Sequence, residues 1–297
     1  MVRVKSRNKI KQNTSGQIFD FTVVIILALV VCITLYPVLY IFSLSISSVT
    51  AIEKREVWLF PVGFNIDSYK LLVQHKELPR SFLNSIVYTT LGTAYDMVLT
   101  VCAAYALSRR WLKGKSFLML LLSFVMWFSG GLIPTYLQLS NMHLLNTMAV
   151  MIIPGAVSVY NLIVMKTTMQ EIPESIEESA KLDGANDITI MAKIIVPMSI
   201  PVVATIALFY IVGHWNAWFN AMIYLNNRKL FPLQLIVREL VVVMTDQSMN
   251  QHADDFNTTP LAFRSAVMVI TILPLLIVYP FIQKYFVKGI MLGSVKS

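Results

Sequence analysis

Charge is scarce in this sequence: Asp, Glu, Lys and Arg together make up 13% of its 297 residues, against roughly a quarter in soluble globular domains. With a mean hydropathy of +0.66, that scarcity excludes a soluble globular protein. Cysteine is nearly absent. Cys32 and Cys102 both fall inside apolar runs, which excludes a disulfide framework or a cysteine metal site and leaves them as small apolar residues. His75, His143, His214 and His252 are scattered with no H-E-x-x-H or other ligand spacing, and no Ser–His–acid set can be assembled, so nothing marks an embedded hydrolase. A phosphate-binding loop is missing too. Gly114–Lys115–Ser116 imitates its end, but Arg109 stands where G-x-x-x-x-G-K-[ST] requires its first glycine, so the backbone has no cradle for phosphates. The chain carries no nucleotide site of its own, no low-complexity tract, no internal repeat and no separate soluble module.

What the sequence has instead is long apolar runs, at about 19–46, 82–108, 117–138, 147–168, 198–225 and 262–283. Each meets the ~20 residues that a helix needs to cross a hydrocarbon layer roughly 30 Å thick. The first run is longer than the ~7–15-residue apolar core of a signal peptide and is read as a retained span. The expected fold is an all-α integral membrane protein with six transmembrane helices: a basic N-terminus at 1–18, a membrane domain at 19–283 and a tail at 284–297. The net charge of +8 is distributed as topology rather than as a nucleic-acid footprint. Arg3, Lys5, Arg7, Lys9 and Lys11 precede the first span, Arg109, Arg110, Lys113 and Lys115 fill the turn after the second, and Lys284, Lys288 and Lys296 follow the last. By the positive-inside rule that side is cytoplasmic, with both termini on it.

Two connections face the other side. The stretch WLFPVGFNIDSYKLL within 49–81 predicts a turn and then a short surface helix, and 226–261 reads as a polar loop. The cytoplasmic connection 169–197 is patterned quite differently. Pro173 suits a first helical position, and Glu174, Glu177 and Glu178 favour the positive end of the helix dipole. Ile172, Ile176 and Ala180 recur every four residues, and Gly184 supplies a left-handed stop. Asn186 or Asp187 then caps a second helix with apolar rows Ile190, Ile194 and Met191, Ile195, interrupted by Pro197. Such a helix–turn–helix docks on something. With four acids and one lysine on its first helix, a protein partner fits better than anionic lipid.

At these residues the sequence resembles a known family. ESAKLDGANDITIMAKIIVP is similar to the EAA loop of binding-protein-dependent ABC importer permeases, with Glu178, Ala180, Gly184, Ile194 and Pro197 at the family spacing. Ser179 replaces an alanine and Val196 a leucine. NSIVYTTLGT, AYALSR, WNAWFNA and the tail QKYFVKGIMLGSVKS resemble carbohydrate-import permeases of the maltose-permease-like second subunit, and FSGGLIPTYL resembles the polysaccharide or lipoprotein-type branch. The resemblance implies a type I importer permease in a bacterial inner membrane, paired with a homologous second permease, two copies of a cytoplasmic ATPase that bind ATP and Mg, and an extracytoplasmic solute-binding protein. Membrane lipid is its other partner, and no nucleic acid is expected. This chain would hold no cofactor and would be a transport subunit, not an enzyme.

Carried onto this sequence, the family's ATPase-coupling element falls on Glu174, Glu177, Glu178, Ala180, Asp183, Gly184 and Ala185, with Glu178 the leading contact. Gly293, Ser294 and Lys296 in the tail are further ATPase-contacting candidates. For cargo, sugars ask for aromatic platforms beside amide groups, which Trp215, Asn216, Trp218 and Asn220 offer in HWNAWFNA and Tyr160 and Asn161 offer in the fourth run. Interfacial anchoring and helix packing use the same residue types. Asp96, an acid in the second run with no evident cationic partner, is a gating or cavity candidate. The alternatives are an ion-coupled secondary transporter using Asp96, or an ABC permease for a non-sugar solute.

Overall fold

The computed structural model describes residues 14–243 and 258–293. The basic residues Arg3 to Lys11, residues 244–257 with His252, and the tail candidates Ser294 and Lys296 lie outside them. Among the described residues the secondary structure is helical apart from one antiparallel bridge between Ser47 and Phe64. These residues form two compact units, one made of 14–70 with 258–269 and the other of 71–243 with 270–293.

The first unit holds helix α1 (Thr14–Ser45). Its apolar residues run all the way round, so no stripe selects a protein face, and its hydrophobic window is exposed throughout. At 1.5 Å per residue it is about 48 Å long, enough to cross with turns to spare. Serines stitch its end into a compact loop: Ser43 Oγ donates to the Leu59 carbonyl at 2.7 Å, and Ser47 Oγ accepts from Val62 N–H at 3.2 Å. Gly63, at φ +64°, closes the loop where an added Cβ would lie 2.6 Å from Ser48 Oγ. Helix α2 (Val49–Glu53) is capped by Ser48, and α3 (Asp67–Gln74) begins the short surface helix expected there.

The second unit is organised by α4 (Leu78–Ser108). Its buried positions include Ser81, Ser85, Thr89, Gly92, Asp96, Thr100, Ala104 and Ser108, three or four apart, while Leu83, Leu91 and Val98 are exposed. In lipid an apolar face gains little by turning inward, and small residues let helices approach closely, so the small and polar stripe is the packing face. Next come α5 (Lys115–Trp127), α6 (Leu132–Asn141), α7 (Val159–Gln170), α8 (Glu174–Leu182), α9 (Asp187–Met198), α10 (Ile200–Trp215), α11 (Trp218–Tyr224), α12 (Leu233–Val243) and, from residue 270 on, α13 (Pro260–Gly293). α4 packs against α7 and α10, and Ala104, Leu162, Met165, Met169, Ile190, Ile195 and Ile206 form the core where α4, α7, α9 and α10 meet. At the other end of α4 the loop before α12 is bolted down. Arg228 makes a two-pronged ion pair with Glu77 at 2.7 Å, which holds the Glu77 carboxyl below its ordinary range, and Tyr88 OH donates to the Leu230 carbonyl at 2.8 Å.

Continuous spans of the expected length occur only in part. Among the described residues three helices are long and apolar enough to cross a membrane, and up to five if each bent pair is one span. The run 117–138 breaks between α5 and α6 with a 113° bend, where Gly131 takes φ +85°. The run 147–168 is a short 3₁₀ turn, then a Pro154–Gly155 corner, and then the start of the twelve-residue α7. Pro197 does not itself end α9. A π turn at Met191–Ile195 absorbs the missing N–H, and the 87° bend falls at Ser199. The run 198–225 divides again at Asn216, between α10 and α11.

Gly92 tests the close-packing reading of α4. A Cβ there would meet the His214 ring at 2.5 Å, whereas Gly213 has nothing within 4 Å. Gly92→Ala is expected to cost about 1–3 kcal/mol by overpacking, and Gly213→Ala to be neutral or to gain ~0.5–1 kcal/mol of helix propensity. Thermal unfolding of the two variants in detergent checks the contrast.

Candidate functional site

The best-defined polar element is the hairpin of α8 and α9. α8 starts one residue later than expected, at Glu174, with Pro173 just before it at φ −56° and ψ 133°. It ends in a Schellman motif: Gly184, at φ +82°, donates its N–H to the Lys181 carbonyl at 3.0 Å, and Ala185 donates to the Ala180 carbonyl at 2.9 Å. Asn186 caps α9 by accepting from Thr189 N–H at 2.8 Å, and Lys181 pairs with Asp187 at 3.3 Å across the turn. Two large apolar side chains stand out at the tip, Leu182 at 90% exposed and Ile188 at 73%. Glu178, Asp183 and Gly184 are exposed beside them, and Ala180 and Ala185 are partly buried. Exposed apolar side chains with acids beside them have the composition that a protein-docking surface would use.

The hairpin is tied to α4 by Arg109, the residue that follows that helix. Arg109 is 4% exposed and each of its three guanidinium nitrogens has a partner: Nε donates to Ser108 Oγ at 2.8 Å, Nη1 to Glu177, and Nη2 to the Met169 carbonyl at 2.9 Å. Its guanidinium also lies 5.0 Å over the Tyr105 ring. Glu177 is correspondingly buried, at 6% exposed, and therefore faces the bundle rather than a partner. This corrects its inclusion among the docking acids. Arg110 and Glu174 repeat the pairing at 2.9 Å on the exposed side. Arg109 was read only as topology from sequence; the signal that marked it was its place at the end of AYALSR.

The cargo candidates are separated by the fold. Trp215 is 3% exposed, donates its indole N–H to the Thr271 carbonyl at 3.1 Å and meets the Phe82 ring edge-on at 6.0 Å, so it packs the interior instead of offering a platform. Trp218 stays partly exposed, edge-on to Phe219 at 5.6 Å, with the Arg238 guanidinium 4.7 Å over its ring. Asn216 Oδ1 accepts from Gln234 at 3.3 Å, and Asn220 is exposed. Arg238 and Gln234 on α12 are thus neighbours of the candidate group that sequence reading missed. Tyr160 is exposed and Asn161 buried, and no hydrogen bond or ring contact among the described residues links either to Trp218. Asp96 is buried with a partner after all: Oδ2 lies 2.8 Å from His214 Nε2. One turn on, Thr100 Oγ1 and Tyr210 OH are 2.7 Å apart, so α4 and α10 run antiparallel along a polar seam.

Residues 115–292 match the family model described as the binding-protein-dependent transport system inner membrane component. The chain is 39% identical over 284 residues to the polygalacturonan/rhamnogalacturonan transport system permease protein YtcP of Bacillus subtilis (strain 168), covering 95% of this chain and 99% of that protein. It is 40% identical over 285 residues to protein LplC of the same organism, covering 95% and 96%. Among solved structures, a chain of a bacterial ABC transporter involved in the import of the acidic polysaccharide alginate matches with a TM-score of 0.88 and 32% identity, over 94% of this chain and 100% of that one.

The buried ion pair yields a sharp expectation. Arg109→Met leaves the Glu177 charge enclosed and unpaired and is expected to cost about 3–5 kcal/mol, whereas Arg109→Met combined with Glu177→Met recovers most of the loss. Arg110→Ala, which removes the exposed pair, changes stability by less than about 1 kcal/mol. Thermal unfolding of the purified protein in detergent measures all three.

Proposed function

This chain belongs to the family of binding-protein-dependent transport system inner membrane components, and from that premise we propose that it is one permease subunit of an ATP-driven importer. It forms half of the translocation path for an oligosaccharide delivered by an extracytoplasmic binding protein. A homologous second permease supplies the other half, and two copies of a cytoplasmic ATPase supply the energy by binding ATP and Mg. The chain lies in a bacterial inner membrane with both termini cytoplasmic. Gly293, the end of α13, leads into the tail that reaches the ATPases.

The observation that carries this reading is the braced hairpin. Leu182 and Ile188 enter an apolar depression on the ATPase, and Glu178 and Asp183 meet basic or amide groups around it. When nucleotide closes the ATPase dimer, the hairpin is displaced. Because Glu177 holds Arg109 at the end of α4, the displacement passes to α4 and, along the Thr100–Tyr210 and Asp96–His214 contacts, to α10. No residue on this route hydrolyses anything.

For cargo, the partly exposed Trp218 ring with Arg238 over one face supports a carboxylate-bearing sugar: the ring's other face takes an apolar sugar face and the guanidinium a carboxylate. The structural neighbour's cargo, an acidic polysaccharide, agrees with that chemistry.

Reconstitution of the complete importer in liposomes tests both ends. Leu182→Asp, Glu178→Arg and Gly184→Asp are each expected to leave assembly intact and to lower uptake and cargo-stimulated ATPase activity about ten- to thirtyfold, the effect of losing a ~1.5–2 kcal/mol interface hot spot. Normal coupling in all three removes the docking role. Arg238→Gln is expected to slow uptake of a labelled uronate oligosaccharide more than that of a neutral one, and equal effects argue against the carboxylate contact.

A further inference from the structure

A cavity of about 350 Å³ lies within the first unit, at the end of α1. Its walls are Tyr36 and Tyr40, stacked with ring centroids 6.0 Å apart and planes 11° apart, together with Leu44, Trp58, Glu53 and Arg55. The cavity has a direction. Tyr36 and Leu44 are eight residues apart on a helix, so it extends about 12 Å along the α1 axis, from the level of Glu53 and Arg55 into the apolar body of the span. A water-borne sugar or ion has no reason to reach that depth, whereas a lipid has its headgroup at one end and its acyl chain at the other. Tyr and Trp are the side chains that favour this boundary.

Arg55 shows that the mouth of the cavity is held in place. Its φ is +58°, a conformation in which a Cβ is strained and which glycine would adopt freely. The turn is fixed by Arg55 N–H on the Ile52 carbonyl at 3.0 Å and Glu56 N–H on the Ala51 carbonyl at 2.9 Å. An arginine kept where glycine fits better points to a use for its side chain. Among the described residues the Arg55 guanidinium and the Glu53 carboxylate have no ion pair with each other or with anything else, yet both line the same cavity. A cation and an anion two residues apart, both unspent, match a headgroup that carries both signs.

We propose that this cavity binds one glycerophospholipid with a phosphoethanolamine headgroup, its phosphate on Arg55, its ammonium on Glu53 and the first part of an acyl chain along Tyr40 and Tyr36. The lipid wedges the 46–66 loop against the end of α1.

Native mass spectrometry of the complete importer, exchanged into detergent and supplied with phosphatidylethanolamine, phosphatidylglycerol or phosphatidylcholine, tests the site. The wild type is expected to retain phosphatidylethanolamine, and Arg55→Gly to retain about tenfold less, the loss of one charge-assisted phosphate contact. Because Arg55→Gly also relieves the left-handed backbone, its melting temperature without lipid is expected to be equal or higher while the rise on adding phosphatidylethanolamine disappears. Glu53→Gln is expected to erase the preference over phosphatidylcholine. Undiminished retention by Arg55→Gly overturns the proposal. So does stronger retention of phosphatidylglycerol than of phosphatidylethanolamine, or equal stabilisation by free phosphoethanolamine, which lacks the acyl chain.

Discussion

The Arg109–Glu177 ion pair is the constraint on which the arrangement of the second unit depends. A charged hairpin at a membrane surface has no apolar reason to hold one orientation, since its acids are content in water. Placing one of those acids in the interior changes that. Glu177 can be buried only where a cation with further hydrogen bonds meets it, and Arg109 meets it with Ser108 and the Met169 carbonyl accepting from its other two nitrogens. Removing either partner strands a charge, so the pair fixes how α8 sits against the ends of α4 and α7 even where its net stabilisation is small. Specificity of position, more than stability, is what such a pair supplies.

The same logic of polar contacts in an apolar solvent runs the length of α4. Leu83, Leu91 and Val98 are left on the outside, and the helix turns Ser81, Ser85, Thr89, Gly92, Asp96 and Thr100 inward. There two of the polar groups find partners in α10: Asp96 with His214, and Thr100 with Tyr210. Gly92 allows the imidazole to come close enough for the first of these. An element that moves as a body needs this kind of directional seam, because apolar side chains alone slide past one another with little penalty in a bilayer. The hairpin at one end, the seam in the middle and the Arg228–Glu77 clamp at the other end make α4 the axis of the unit.

Much of this was legible in the sequence. The apolar runs gave the membrane class, and Pro173, Gly184 and Asn186 marked the hairpin to within a residue, because helix ends are local chemistry. What escaped was non-local. Arg109 and Glu177 are 68 positions apart and Asp96 and His214 are 118 apart, so neither pairing has a local signature. Reading Trp215 as a platform failed for a related reason: an aromatic that packs and one that binds look alike until Phe82 and Thr271 are seen around it. The breaks at Gly131, Pro154–Gly155 and Ser199 were punctuated by residues that break helices, but hydropathy alone averages over them.

The central claim is that the hairpin and the end of α4 move as one body. Pulsed electron spin resonance on the assembled importer measures this directly, with labels on Ser179→Cys in α8 and Lys113→Cys beyond α4, and with Cys32 and Cys102 replaced. The account predicts that the label-to-label distance distribution is the same in the nucleotide-free and ATP-bound states. A distribution that shifts or splits between those states would mean that the hairpin swings independently of α4 and would contradict it.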